Sequence, residues 1–545
     1  MSGTKGRKCL KRARDSVIPK GESHKIIIGI DYGTTFSGVS YVTSDKVGLE
    51  NITIMSPWPG DPHVSWKTPT RIAYSQENPK LTNNKWGFEV NSKLVSYSWT
   101  KLLLDKNAAS RKHDDPSLAG MTGAGMLQLP PFRDAAGVCE DFLHEIYKYV
   151  SEKLRRQMTD LTFENTPIEC WVTLPSVWSD EAKDATLKAA KNAGFGNRPG
   201  DNIYTIAEPE AAAIATLKEY SIPGAMNPIV CDENILICDC GGGTVDITTY
   251  KIIQVEPVLT FVELCVGIGG KCGSTYIDRN LHTLLSNRFG LAYGDLSVGQ
   301  KGPGSRFMAS FEMLKRDFGR NDDKETGELG PLNLDVPNSE HYDVEDRVIY
   351  LQQLGSLQDM QALFDPVITE ITSLVNQQVN AARDTQNAKI NRIILVGGFA
   401  ESPYLNKKLK AWCKRNGNMT LICPLHPQSA VVRGAALRGL EGIAPRVKQV
   451  RRHYGVCLGK VFREEPPEYL SDPGVEKVGE IQTTLDSSLN LGENTEAQFN
   501  ARLGRRVQRL PFQQQIVFGN KGDNLTFKCL IGGKEICKST MNFDR

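Results

Sequence analysis

Two stretches decide how this chain reads: Ile28-Gly29-Ile30-Asp31-Tyr32-Gly33-Thr34-Thr35-Phe36-Ser37-Gly38-Val39 and Leu236-Ile237-Cys238-Asp239-Cys240-Gly241-Gly242-Gly243-Thr244-Val245-Asp246-Ile247. In each, apolar β-formers lead to an aspartate, then to a turn of glycine and threonine, then to β-formers again, which is the pattern of strand, tight turn, strand. Glycines in such turns permit positive φ and let backbone N–H groups approach a ligand. Those amides form concave anion sites, to which threonine hydroxyls add donors. An aspartate beside a phosphate is repelled unless a cation lies between them, so each copy implies Mg²⁺. One copy alone reads equally as an ordinary Asp-Gly turn. Two in one chain, in matching order, describe a clamp on a metal–nucleotide phosphate tail. The stretch Gly269-Gly270-Lys271-Cys272-Gly273-Ser274 is not a P-loop, because Cys265 stands where that motif begins with glycine and Cys272 follows the lysine.

A chain of 545 residues has room for about three domains, and 23% charged with 40% hydrophobic residues is ordinary for a soluble globular protein. No apolar run approaches the length of a membrane span, and the N-terminus is polar, unlike a signal peptide. Thirteen cysteines without a Cys-x-x-Cys pair argue against zinc and against a disulfide framework, and fit a reducing compartment. Cys238 and Cys240 share one face of a strand, where buried thiols are expected. Net charge is +2, yet Lys5, Arg7, Lys8, Lys11, Arg12 and Arg14 lie in the first fourteen residues. The remainder is therefore slightly acidic and carries no clear nucleic-acid signature. The expected location is cytoplasmic, with the nucleus as the alternative, and residues 1–24 read as a disordered basic tail: an import signal, a contact for an anionic surface, or simply a solvated terminus.

Outward from the hairpins, residues 25–224 read as one α/β lobe and 225–440 as a second on the same plan. The first lobe takes an inserted region of short strands from Trp58 to Gly87. It then has a helix over Cys139–Met158, a strand over Ile168–Leu174, a helix from Asp180, a strand over Ile203–Ile206 and a helix opened by Glu208-Pro209-Glu210. The second lobe has an insertion over Gly290–Val348 and a helix in which Asp365 caps and Pro366 takes the first turn. A strand over Ile393–Val396 follows, and Ser402-Pro403 opens a further helix. From 441 to 545, alternation at Gln514, Ile516 and Phe518, at Leu525, Phe527 and Cys529, and around Val456–Leu458 predicts a β-rich module.

At this point the chain resembles the seventy-kilodalton heat-shock (DnaK-type) chaperones, as an atypical branch with a divergent C-terminal region within the actin-like ATPase superfamily. The resemblance rests on five ordered segments between Lys25 and Gly439. They are the two hairpins, Ile206-Ala207-Glu208-Pro209-Glu210-Ala211-Ala212-Ala213-Ile214-Ala215, Glu312-Met313-Leu314-Lys315-Arg316, and Leu395-Val396-Gly397-Gly398-Phe399. It implies a two-lobed, actin-like (ribonuclease H-like) α/β fold with duplicated lobes, binding ATP/ADP and Mg²⁺ in the cleft and hydrolysing ATP slowly as a conformational switch. By the same resemblance Asp31 and Asp239 hold Mg²⁺ through water, with Glu208 in the outer shell. Gly33, Thr34, Thr35, Gly241, Gly242, Gly243 and Thr244 cradle the phosphates. Asp246 orients the attacking water, and Lys101 supplies a cation near the γ-phosphate, a term of large effect in phosphoryl transfer. Lys101 has little local identity to support it, so a plain surface lysine is the competing reading. Glu312, Lys315 and Arg316, at i, i+3 and i+4, face one side of a helix and would meet ribose and adenine, unless they form only a surface salt-bridge trio. Gly397 and Gly398 would let backbone reach the nucleotide at a helix N-terminus.

The departures bear on function. Family members continue past the two glycines with Ser-Thr-Arg, whose arginine packs on adenine, whereas this chain has Phe399-Ala400-Glu401. Gln428 replaces a common aspartate, and Pro175 matches a proposed switch proline whose arginine partner is here Lys183, which keeps the charge and loses the planar fork. The acidic, leucine-rich linker to a peptide-binding domain has no counterpart between Gly439 and Val456. Nucleotide is thus the expected ligand, with protein clients or co-chaperones as further partners. The rival readings are a non-hydrolysing nucleotide sensor or scaffold, a small-molecule kinase of the hexokinase type, for which no general-base aspartate is identifiable, and an actin-like filament former.

Overall fold

The computed structural model describes residues 24–105, 128–320, 326–352 and 359–449. Beyond them it describes, by their backbone, five strands between Glu496 and Thr540. The basic tail and Val456–Leu458 lie outside the described residues.

Two mixed sheets form the frame. The first runs β3 (Thr53–Ile54), β2 (Phe36–Thr43), β1 (Ile26–Asp31), β4 (Ile168–Leu174), β5 (Asn202–Ala207). The second runs β8 (Thr260–Gly270), β7 (Val245–Gln254), β6 (Asn234–Cys240), β9 (Arg392–Val396), β10 (Thr420–Ile422). In both sheets a hairpin pairs antiparallel, and its first strand lies parallel to the two later strands. Parallel strands covered on both faces become continuously apolar. Accordingly β1 and β4 are buried along their whole length, and β6 at all but its first residue.

Helices pack on these sheets and around them. They are α1 (Ala135–Arg155), α2 (Asp180–Ala193), α3 (Glu208–Ser221), α4 (Thr275–Phe289), α5 (Arg306–Asp317), α6 (Asp359–Gln386), α7 (Pro403–Arg415) and α8 (Ala430–Glu441). Their starts follow capping chemistry. Ser179, Ser305 and Ser402 accept from the N–H groups of Ala182, Met308 and Leu405. The last helix of each half packs on the other half's sheet as well as on its partner helix. Thus α8 lies over β1, β2 and β4, while α3 lies against β6 and β7. A Cβ on Gly434 would fall 1.7 Å from the Ala211 carbonyl oxygen, so glycine is what permits α3 and α8 to touch backbone to backbone. A single hydrophobic cluster joins the two halves there, with Ile27, Ile206 and Ile214 beside Ile237, Ile394 and Leu437.

Two sequence expectations are corrected. The first-lobe helix begins at Ala135 rather than Cys139, because Asp134 caps it by accepting from the Gly137 N–H at 2.8 Å. The long second-half helix does not begin at Asp365-Pro366 but at Asp359, with Pro366 inside it. Arg288 clamps Asp359 at 2.7 Å, and the apolar stripe Met360, Leu363, Phe364, Val367, Ile368 continues through the proline. Tertiary packing outweighs the lost N–H there. The Trp58–Gly87 insertion does hold short strands, Arg71–Ala73 pairing Lys85–Trp86, and Arg71–Ile72 also pairs Tyr97–Ser98. In the C-terminal region, Gln513–Phe518 pairs Leu525–Leu530 so that Ile516 opposes Phe527 and Phe518 opposes Leu525. Among the described residues no helix is long and apolar enough to cross a membrane.

Candidate nucleotide site between the hairpins

The four-residue turns of the two hairpins meet. A Cβ on Gly242 would lie 2.3 Å from Thr35 Oγ1, and one on Gly243 would lie 2.4 Å from Thr34 Oγ1. Close approach is therefore what these glycines serve. The expectation of positive φ is corrected, since none of Gly33, Gly38, Gly241, Gly242 and Gly243 adopts it, whereas Gly397 does, at +90°.

The second turn is held from behind by the segment rejected above as a P-loop. Gly273, Ser274 and Thr275 donate their N–H groups to the carbonyls of Gly243, Gly241 and Gly242 at 3.2, 3.1 and 2.8 Å. Gly241 N–H closes the turn on the Thr244 carbonyl at 3.0 Å. The amides of Gly242 and Gly243 keep no acceptor among the described residues, the state that suits an anion cradle.

Around the turns the structure gathers the carboxylates. Asp31 ends β1, Asp239 lies at the end of β6, Asp246 opens β7 and Glu208 opens α3, and all four are buried. Lys101 is buried too, 2% exposed, and its ammonium bonds Glu208 Oε1 at 2.7 Å, so it is no surface lysine. Its Nζ sits 5.1 Å from the Trp178 ring and 5.8 Å from that of Tyr32, walls that exclude water. Asp246 Oδ1 accepts from the Ser176 N–H at 2.8 Å and from the Ser176 hydroxyl, which fixes its orientation. Asp31 accepts from Thr173 Oγ1 at 3.2 Å.

Sequence reading missed Lys67. Its segment is carried to the first hairpin by the pairing of Thr68 and Pro69 with Ser37 and Phe36, and its Nζ lies 2.6 Å from Asp31 Oδ2. No local motif marks it. Only Gly38, which leaves room for the lysine stem, hints at the contact.

Burial pushes the Glu208 carboxyl up to about 7, against the pull of Lys101 and with added repulsion from Asp246 and Asp31. Burial, then repulsion from Glu208, Asp246 and Asp31, lifts Asp239 well above the usual carboxylate range, opposed by Lys67. Four carboxylates thus face two ammonium groups, and no hydrogen-bond donor among the described residues reaches the Asp239 carboxylate. That surplus of negative charge fits an added cation. Among the described residues no group of three or more His, Cys, Asp or Glu side chains is arranged to ligate a metal directly.

Away from the carboxylate group, on α5, Lys315 is buried rather than exposed. It bonds Asp278 of α4 and Glu312, each at 2.7 Å, and Glu312 also holds Arg316 at 2.7 Å. Burial would raise the Glu312 carboxyl, but Lys315 and then Arg316 outweigh it and hold it below the ordinary value. Gly397 packs on Asp239, where a Cβ would lie 2.4 Å from Oδ1. The expected helix N-terminus at Gly397-Gly398 is corrected: a short 3-10 turn spans Gly398–Glu401 and α7 starts only at Pro403. Phe399 turns into the core against Phe364, and Glu401 stays exposed.

Comparison with known proteins gives the family. The family model for the Hsp70 protein matches residues 142–450, more than half of the chain. The chain belongs to the Hsp70 family. It is 25% identical over 533 residues to heat shock 70 kDa protein 12A of Homo sapiens, covering 84% of this chain and 76% of that one. Heat shock 70 kDa protein 12B of Homo sapiens is 25% identical over 596 residues, covering 90% and 80%. The chaperone protein HscA homolog of Rickettsia typhi is 24% identical over 426 residues, covering 78% and 59%. These modest identities fit an atypical Hsp70-like branch. Family membership implies an actin-like ATPase fold and an ATP-binding, chaperone-type activity.

Proposed function

We propose that this Hsp70-family chain binds Mg²⁺–ATP between its hairpins and hydrolyses it slowly, using the reaction to change the closure of two duplicated lobes. The observation that carries the reading is the buried Lys101–Glu208 pair standing with Asp31, Asp239 and a Ser176-held Asp246 around two touching glycine–threonine turns. The matching strand order of the two sheets supports the duplication.

Each residue's part follows from its surroundings. Thr34, Thr35 and the amides of Gly242 and Gly243 donate to phosphate oxygens. Lys101, dry and fixed by Glu208, stabilises the charge that develops as phosphate leaves. Asp246, with one oxygen taken by Ser176, orients a water through the other. Asp31 and Asp239 would hold Mg²⁺ through water, and the ion would neutralise the phosphate tail. Glu312, Lys315 and Arg316 form the nucleoside side, and Glu401 in place of a cation weakens the grip on the base. Protein clients or co-chaperones are the further partners that this reading proposes, in the cytoplasm or nucleus.

The test is single-turnover ATP hydrolysis with protein in excess and Mg²⁺ present. Wild type should release phosphate, while Lys101→Ala should bind ATP and release phosphate at least about a hundredfold more slowly. Binding without phosphate release in both proteins would instead identify a nucleotide sensor.

A further inference from the structure

Lys67 stands apart from every role assigned so far. It enters from the inserted region rather than from either hairpin, and its stem crosses Gly38, where a Cβ would meet Lys67 Cγ at 3.1 Å. Its side chain is 15% exposed, and its ammonium lies 2.6 Å from Asp31 Oδ2. Asp239 and Glu208 also attract it, so it sits among the carboxylates that would surround a metal ion. An ammonium has three N–H donors. Asp31 is its one hydrogen-bond acceptor among the described residues, which leaves two donors for another anion. A purely structural ion pair would not need spare donors beside unclaimed turn amides and a surplus of carboxylate charge.

We propose that Lys67 is a resident cation of the phosphate site, bridging Asp31 to the nucleotide's phosphate oxygens as a hydrated divalent ion would, so that nucleotide binding is partly independent of metal. The proposal rests on the nucleotide-binding reading above. It makes Lys67 a binding residue that also competes with Mg²⁺ for Asp31.

The experiment is calorimetric titration of the full chain with ATP, in excess Mg²⁺ and in EDTA, for wild type, Lys67→Met and Lys67→Arg. Wild type should lose no more than about threefold in affinity in EDTA. Lys67→Met should lose at least about tenfold in EDTA, a difference of about 1.4 kcal/mol, and distinctly less in saturating Mg²⁺, where the ion takes the place of the ammonium on Asp31. Lys67→Arg keeps the charge and should restore most of the binding in EDTA. The proposal is overturned if wild-type binding collapses in EDTA, or if Lys67→Met differs from wild type by the same factor with and without metal. Should Lys67→Met fail to fold, Lys67→Gln replaces it in the same titrations, and collapse of wild-type binding in EDTA still overturns the proposal. Wild type that binds no ATP even with Mg²⁺ would overturn the nucleotide reading itself, an outcome separate from loss in EDTA alone.

Discussion

Loading Mg²⁺–ATP should drive protons out of this protein, by an amount set by Glu208. Its carboxyl titrates at about 7 in the free site. It is therefore about nine-tenths protonated at pH 6, about half at pH 7 and about one-tenth at pH 8. A bound cation favours the carboxylate, so binding should release about 0.9, 0.5 and 0.1 proton at those three values. The carboxyl of Asp239, also raised by burial and by its carboxylate neighbours, adds to the release. Because the free protein holds more protons than the loaded one, affinity rises with pH. Integrated from pH 6 to 8, the Glu208 contribution is about tenfold, or about 1.4 kcal/mol. Calorimetry with premixed Mg²⁺–ATP, repeated at each pH in two buffers of different ionisation heat, counts the protons directly. Glu208→Gln keeps the shape, removes the titration and should flatten most of the pH dependence. Equal release at pH 6 and pH 8, or release unchanged in Glu208→Gln, would refute the reasoning.

Three further outcomes are expected. Ser176→Ala removes the hydroxyl that holds Asp246; single-turnover hydrolysis should slow about tenfold while ATP affinity, read by titration, stays within about twofold. Lys315→Met strands Asp278 and Glu312 without their shared cation, so urea unfolding should report a loss of about 3 kcal/mol. Gly434→Ala forces α3 and α8 apart and should lower stability by about 1–3 kcal/mol in the same assay.

The two hairpin turns were legible because their pattern is local: an aspartate, glycines and threonines contiguous along the chain. Glu208 was legible for the same reason, at the start of a helix with Pro209 behind it. Lys67 was not, because what brings it to Asp31 is a strand pairing between residues some thirty apart, and nothing beside Trp66-Lys67-Thr68-Pro69 announces that pairing. Pro366 misled in the opposite direction. Proline at a first helical turn is a sound local rule, yet the buried stripe before it, from Met360 to Phe364, carries the helix upstream to Asp359. The glycines serve contact between two distant turns rather than positive φ, and that contact cannot be read from either turn alone.

The crossing of α3 and α8 has a consequence for how the chain is made. The sheet of β1, β2 and β4 is finished by residue 207 but is covered by a helix that ends at Glu441. A ribosome adding about 5–20 residues per second would expose that apolar surface for roughly 10–50 s before its cover is synthesised. Ile27, Trp171 and Gly29, which α8 eventually meets, are then open to wrong partners. A protein of a chaperone family would thus itself depend on protection during its own birth.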